Sequence, residues 1–285
     1  MGQLHDQMEA DLKIGGYSSN TQRVYIFYAR KFAAYFMRSP AEMGADEVRR
    51  FLLHLVEERC ASRETIRQVR SSLRFLYGVT LNRPVEVEWV PVPRKQKRLP
   101  VVFSGTEVAE LLEAVRRLKY RMILTAMYAA GLRISEACQL QPEDIDSKRM
   151  VMRIRGKGDK ERYTLLSGRL LLELRDYWRR TEPQGGWLFP GRTRAGHASK
   201  ETSRKVFHKA IQGTRITKHV TPHTLRHSFA THLIEVGTDV TVVQALLGHA
   251  SLRATEVYTH TSVEQIARTR SPLDLLGTPA AAILG

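Results

Sequence analysis

Cysteine is almost missing from this chain. Its 285 residues hold two, Cys60 and Cys138, far apart and in no CxxC spacing. That excludes a disulfide framework and a cysteine-rich zinc module, and it suits a reducing cytoplasm. Both cysteines read as helical. No run of about eighteen apolar residues occurs, so no membrane-spanning helix and no membrane partner are expected. The opening MGQLHDQMEADL is not a secretory signal. A GxxxxGK[ST] loop is also absent, so no nucleotide phosphate donor is implied. Acidic side chains are scarce beside basic ones, 29 against 45, for a formal net charge of +16. In a folded chain a surplus of that size points to a polyanion, above all nucleic acid.

What is present is globular: 42% apolar and 26% charged residues, in a length that suits two domains. Residues 1–87 show helical periodicity only. Within SSNTQRVYIFYARKFAAYF, Ser19 and Gln22 read as a capping box. Tyr25, Tyr28, Phe32, Tyr35 and Phe36 follow helical spacing and read as a core stripe. In SRETIRQVRSSLRFLYGVTL, Arg63, Arg67, Arg70 and Arg74 share one helix face, which is either solvated or laid along phosphates. Residues 88–103 break the pattern. Pro91, Pro93 and Pro100 deny helix, and Arg94, Lys95, Lys97 and Arg98 make this an extended basic linker. Residues 104–285 resume with a capping box, Ser104 to Glu107. An apolar helix follows, then a β-hairpin whose two arms meet at GKGD, with Lys157 and Lys160 at the tip. Helices are expected over 168–180, 199–212, 222–236, 240–247 and 251–258. The fold class is therefore mainly α with one small β-hairpin or sheet, in two domains: an N-terminal helical bundle and a mixed α/β second domain.

His223 and His227 stand four apart in TPHTLRHSFATHL, the spacing of a zinc helix. The glutamate of the metalloprotease pattern is missing, however, and Arg226 adds a cation beside them. Asp144, Asp146 and Asp159 fall in turns and read as caps rather than a two-metal cluster. The chain is read with no metal and no cofactor. Phosphodiester chemistry without a metal needs a nucleophile, fixed positive charge on the phosphate oxygens and an acid for the leaving alkoxide. Arginine supplies that charge as a bidentate fork. Arg133 in GLRISE, Lys157 on the hairpin, His223 and Arg226, His249 in LLGH and Tyr258 in VYTH provide the parts in order.

That ordered set, from about Ser104 to Thr261, resembles the tyrosine recombinase (lambda-integrase-like) family, nearest to Xer-like recombinases and mobile-element integrases. The resemblance implies a core-binding helical domain, a catalytic domain of the tyrosine recombinase type and site-specific cutting and rejoining of double-stranded DNA. It implies Tyr258 as nucleophile forming a 3′-phosphotyrosyl link, and Arg133 and Arg226 as clamps on the phosphate. It further implies Lys157 as acid to the 5′-oxygen, His223 in proton transfer, His249 on the phosphate and Glu136 orienting Arg133. His227 and His232 fit the family's pattern outside its catalytic positions and read as packing or capping residues. A homotetramer, or a pairing with a paralogous recombinase, is implied for the synapse, acting on the nucleoid. The apolar tail over 271–285 reads either as a segment docking on a neighbouring protomer or as a loose end. Two other readings carry the same basic chemistry or surface: a type IB topoisomerase-like enzyme and a catalytically silent architectural DNA-binding protein.

Overall fold

The computed structural model describes residues 2–84, 100–156, 161–193, 196–248 and 269–276. They form two compact units divided after Arg98, each with its own apolar core.

The first unit contains α1 (Gly2–Ile14), α2 (Ser19–Phe36), α3 (Ala45–Glu57) and α4 (Arg63–Phe75), the last continued by a π-turn over Leu76–Thr80. The cap of α2 is Ser18, one residue before the expected Ser19: its Oγ accepts from the Thr21 N–H at 3.4 Å. Gln22 reaches back to the Tyr17 carbonyl at 2.6 Å. Of the aromatic stripe, Phe32 is fully buried and packs edge-on against Phe36, Phe51 and Tyr77. Burying one such ring contributes about 2–3 kcal/mol. Tyr35 departs from the core reading. It is 43% exposed and lies over the His54 ring, because the helix turns that face outward. Ser72 ties α4 to α2 by donating to the Tyr25 carbonyl at 2.6 Å. Cys60 is not helical. It follows α3 in a loop with a positive φ of 45°, which closes the turn into the Ser62 cap of α4.

The second unit contains α5 (Gly105–Ala114), α6 (Leu118–Ala129), α7 (Ile134–Cys138), a three-stranded sheet, α8 (Gly168–Thr181), α9 (Lys200–Ile211), α10 (Pro222–Glu235), α11 (Val240–Leu247) and α12 (Pro272–Leu275). The capping box of α5 is closed: Ser104 Oγ accepts from the Glu107 N–H, and Glu107 accepts from the Ser104 N–H at 2.7 Å. The sheet is antiparallel in the order β1 (Ile145–Asp146), β2 (Val151–Arg155), β3 (Glu161–Leu165), with Val151 opposite Leu165 and Arg155 opposite Glu161. Strand β1 was not anticipated. Two residues are too few to show a period of two.

Helix α6 is buried along nearly its whole length and carries the core of this unit. Helix α10 packs on it. Ser228 accepts from the Phe103 N–H at 2.9 Å. His232 Nε2 donates to the Phe103 carbonyl at 2.9 Å, which leaves Nδ1 to accept from the Tyr128 hydroxyl at 2.9 Å. His232 is therefore a strut between the start of this unit and its central helix. No helix among the described residues is long and apolar enough to cross a membrane.

Candidate active site

The site grows from the end of α6. Gly131 turns the chain with φ of +63°. A Cβ there would stand 2.6 Å from the Phe229 ring, so glycine is needed both for the left-handed backbone and for the close packing. The turn sets Arg133 as the N-cap of α7 in extended conformation and aims the Gly131 carbonyl into the interior. One turn on, Glu136 folds back. Its carboxylate accepts from the Arg133 backbone N–H at 2.8 Å and from Arg133 Nη1 at 2.7 Å.

Two more arginines meet the same carboxylate. Arg162 on β3 grips it with both ends of its fork, Nη1 to Oε1 at 2.9 Å and Nη2 to Oε2 at 2.8 Å. Arg226 on α10 brings Nη1 to 3.6 Å from Oε2. That same Nη1 donates to the Gly131 carbonyl at 2.6 Å, and Nη2 donates to the Leu247 carbonyl at the end of α11. Three guanidiniums on one carboxylate leave a net charge of two positive. Glu136 and Arg226 are buried, whereas the Arg133 side chain is 38% exposed and is the member that reaches solvent. Burial alone pushes the Glu136 carboxyl up. The hydrogen bonds and charge of Arg162, and then of Arg133, outweigh it and hold the pKa at about 2. The carboxylate stays ionised under all ordinary conditions and cannot serve as an acid.

His223 lies one turn before Arg226, exposed at the start of α10. Partial loss of water lowers its pKa below 6.5, and the charges of His227, Arg226, Arg133 and Arg204 lower it further. At neutral pH it is a neutral imidazole able to accept a proton. His227 is lowered by the same loss of water and by Arg226. Among the described residues no group of three or more His, Cys, Asp or Glu side chains could hold a metal ion. Asp144 and Asp146 act in turns, accepting from the backbone N–H groups of Gln141, Lys148 and Arg149.

Of the residues singled out from sequence, the structure thus brings Arg133, Glu136, His223 and Arg226 to one place. Lys157, Lys160, His249 and Tyr258 lie outside the described residues, as do Arg94, Lys95, Lys97 and Arg98 and the helix expected over 251–258. On α4 in the other unit, Arg63, Arg67 and Arg74 are exposed. Arg70 is half-buried, with Nε lacking a hydrogen-bond partner among the described residues. Arg162 was missed. Its signal was the alternation of β3, in which Arg162 and the buried Thr164 share the inward face.

A family model described as the phage integrase family matches residues 102–265, and one for the phage integrase N-terminal SAM-like domain matches residues 4–87. The chain belongs to the phage integrase family. It is a tyrosine-type site-specific recombinase. The y4qK protein of Sinorhizobium fredii is 44% identical over 98% of this chain and 91% of its own length. An integrase/recombinase of Escherichia coli is 33% identical over 95% of this chain and 93% of its own. The tyrosine recombinase XerA of Thermococcus kodakarensis is 32% identical over 95% of both. The recombinase also shares its fold with solved structures. A lambda integrase tetramer bound to a Holliday junction has a TM-score of 0.72 at 17% identity, covering 88% of this chain and 77% of that one. The XerH recombinase bound to its difH substrate has a TM-score of 0.66 at 24% identity, covering 85% of this chain and 75% of that one.

Proposed function

We propose that this recombinase cuts and rejoins double-stranded DNA through a 3′-phosphotyrosyl intermediate on Tyr258, with no metal and no ATP. The observation that carries the reading is the meeting of Arg133, Arg162 and Arg226 on one ionised Glu136, beside a neutral His223. The Tyr258 oxygen attacks the scissile phosphorus as its proton passes toward His223. The bond to the 5′-oxygen breaks, and Lys157 supplies the proton that the departing oxygen needs. Arg133 and Arg226 neutralise the charge that builds on the non-bridging oxygens, with His249 adding a hydrogen bond. A free phenol has a pKa of about 10, so a cationic surround favours its ionisation. The covalent link conserves one phosphate ester bond for each one broken. Rejoining is the reverse step and draws on no external energy.

Residues 1–87 serve as the core-binding domain, 88–103 as a basic linker and 104–285 as the catalytic domain with its tail. The exposed Arg63, Arg67 and Arg74 and the charge of +16 support a duplex partner. Lambda integrase bound to a Holliday junction is a tetramer, and we assign the same assembly to the synapse here, of this chain alone or with a paralogue. The test is a nicked suicide duplex that the protein binds. Wild type traps a covalent adduct in the presence of EDTA, and Tyr258→Phe binds the duplex but traps none. An adduct from Tyr258→Phe sinks the nucleophile assignment. Cleavage that EDTA abolishes and Mg²⁺ or Zn²⁺ restores sinks the metal-free mechanism.

A further inference from the structure

Arg162 does two things at once. Its fork closes on both oxygens of Glu136, and its Nε donates to the Leu246 carbonyl at 2.9 Å. Leu246 and Leu247 end α11, and their carbonyls have no partner within the helix. Arginines cap both: Arg162 takes Leu246 and Arg226 takes Leu247. The next residue, Gly248, has φ of +60°, and a Cβ there would stand 2.7 Å from Arg162 Cδ. The glycine leaves the stem of Arg162 room to pass beneath the helix end. The end of α11 is thereby keyed to the carboxylate that also holds Arg133.

We infer that Arg162 is a positioning residue that sets the register between the arginine cluster around Glu136 and the end of α11, from which the chain runs on to His249 and Tyr258. It touches no reacting atom. It fixes where the chain leaves α11 relative to Arg133 and Arg226. The inference rests on the recombinase mechanism proposed above for its effect on cleavage, but not for its effect on α11.

The test uses full-length Arg162→Ala and Arg162→Lys. Lysine keeps the charge and one bond to Glu136, but its single ammonium cannot span the carboxylate and the Leu246 carbonyl. Three readouts are taken. Hydrogen exchange at the amides of residues 244–248 is expected to speed up in both variants. Single-turnover adduct formation on the suicide duplex is expected to fall roughly 100-fold in Arg162→Ala while duplex binding holds, as for a misplacement of about 1 Å at a reacting centre. Added guanidinium is expected to recover part of that rate in Arg162→Ala and none in Arg162→Lys. Unchanged exchange at 244–248 in Arg162→Lys overturns the inference whether or not the alanine variant folds. Cleavage at the wild-type rate in either folded variant overturns it too and leaves the recombinase mechanism standing. If wild type forms no adduct on duplex it binds, that mechanism falls, and the exchange measurement alone decides the role of Arg162.

Discussion

Glu136→Gln is nearly the same shape but removes the one negative charge among three arginines. The cost can be worked from the carboxyl itself. Its pKa is about 2 in the folded protein against 4.5 for a free glutamate, and its side chain is only 6% exposed. A shift of that size corresponds to on the order of 3 kcal/mol of stability at neutral pH. Glutamine adds a further penalty, because its NH₂ group faces a donor where an acceptor stood. The expected loss at pH 7 is about 3–5 kcal/mol, the usual range when one partner of a buried pair is removed. Urea is the right denaturant, since guanidinium chloride would screen the charges under test. Trp178 and Trp187 report on the second unit by fluorescence. The pH dependence has a definite sign. A depressed carboxyl stabilises above its unfolded pKa and loses that contribution as pH falls toward its folded one. The gap between wild type and Glu136→Gln therefore narrows below pH 4.5, by about 0.8 kcal/mol at pH 4. A gap under about 1 kcal/mol at pH 7, or one that stays constant from pH 7 to pH 4, would refute the account of the cluster.

Two other outcomes are expected. Gly131→Ala places a methyl 2.6 Å from the Phe229 ring at positive φ, and it should cost about 2 kcal/mol or more in urea unfolding; a cost below about 0.5 kcal/mol contradicts the packing argument. The rate of adduct formation in wild type should fall on the acid side with an apparent pKa below 6.5, as His223 takes up a proton, and His223→Gln should flatten that limb. A limb that persists unchanged in His223→Gln assigns it to another group.

Arg133 and Arg226 are legible in the sequence as candidates, Arg133 at a helix break after Gly131 where its side chain can project and Arg226 on one helix face with His223. Neither position is decisive alone. Glu136 is legible only through the family resemblance, because nothing local says that a buried carboxylate one turn after Arg133 gathers two further arginines from β3 and α10. Arg162 escaped because its importance depends on which side of β3 faces inward, and on two partners 26 and 84 residues away. Spacing within one segment cannot show that. The cap of α2 was missed by one residue because Ser18 and Ser19 are adjacent and equally able to cap. The sequence carries helix through Cys60 because no glycine or proline marks the end of α3, whereas the chain closes that helix with a left-handed cysteine. The hairpin was legible because β2 and β3 alternate along their length, whereas β1 is too short to do so.

The bond from Arg226 to the Gly131 carbonyl joins residues 95 apart in the chain. Closing a loop of that length costs entropy that only the packed second unit offsets, so the bond exists only where α10 and α11 are seated against the turn after α6. The charge cluster is thus a reporter of the completed fold, and a partly unfolded second unit lacks the arginine pair that would act on a phosphate.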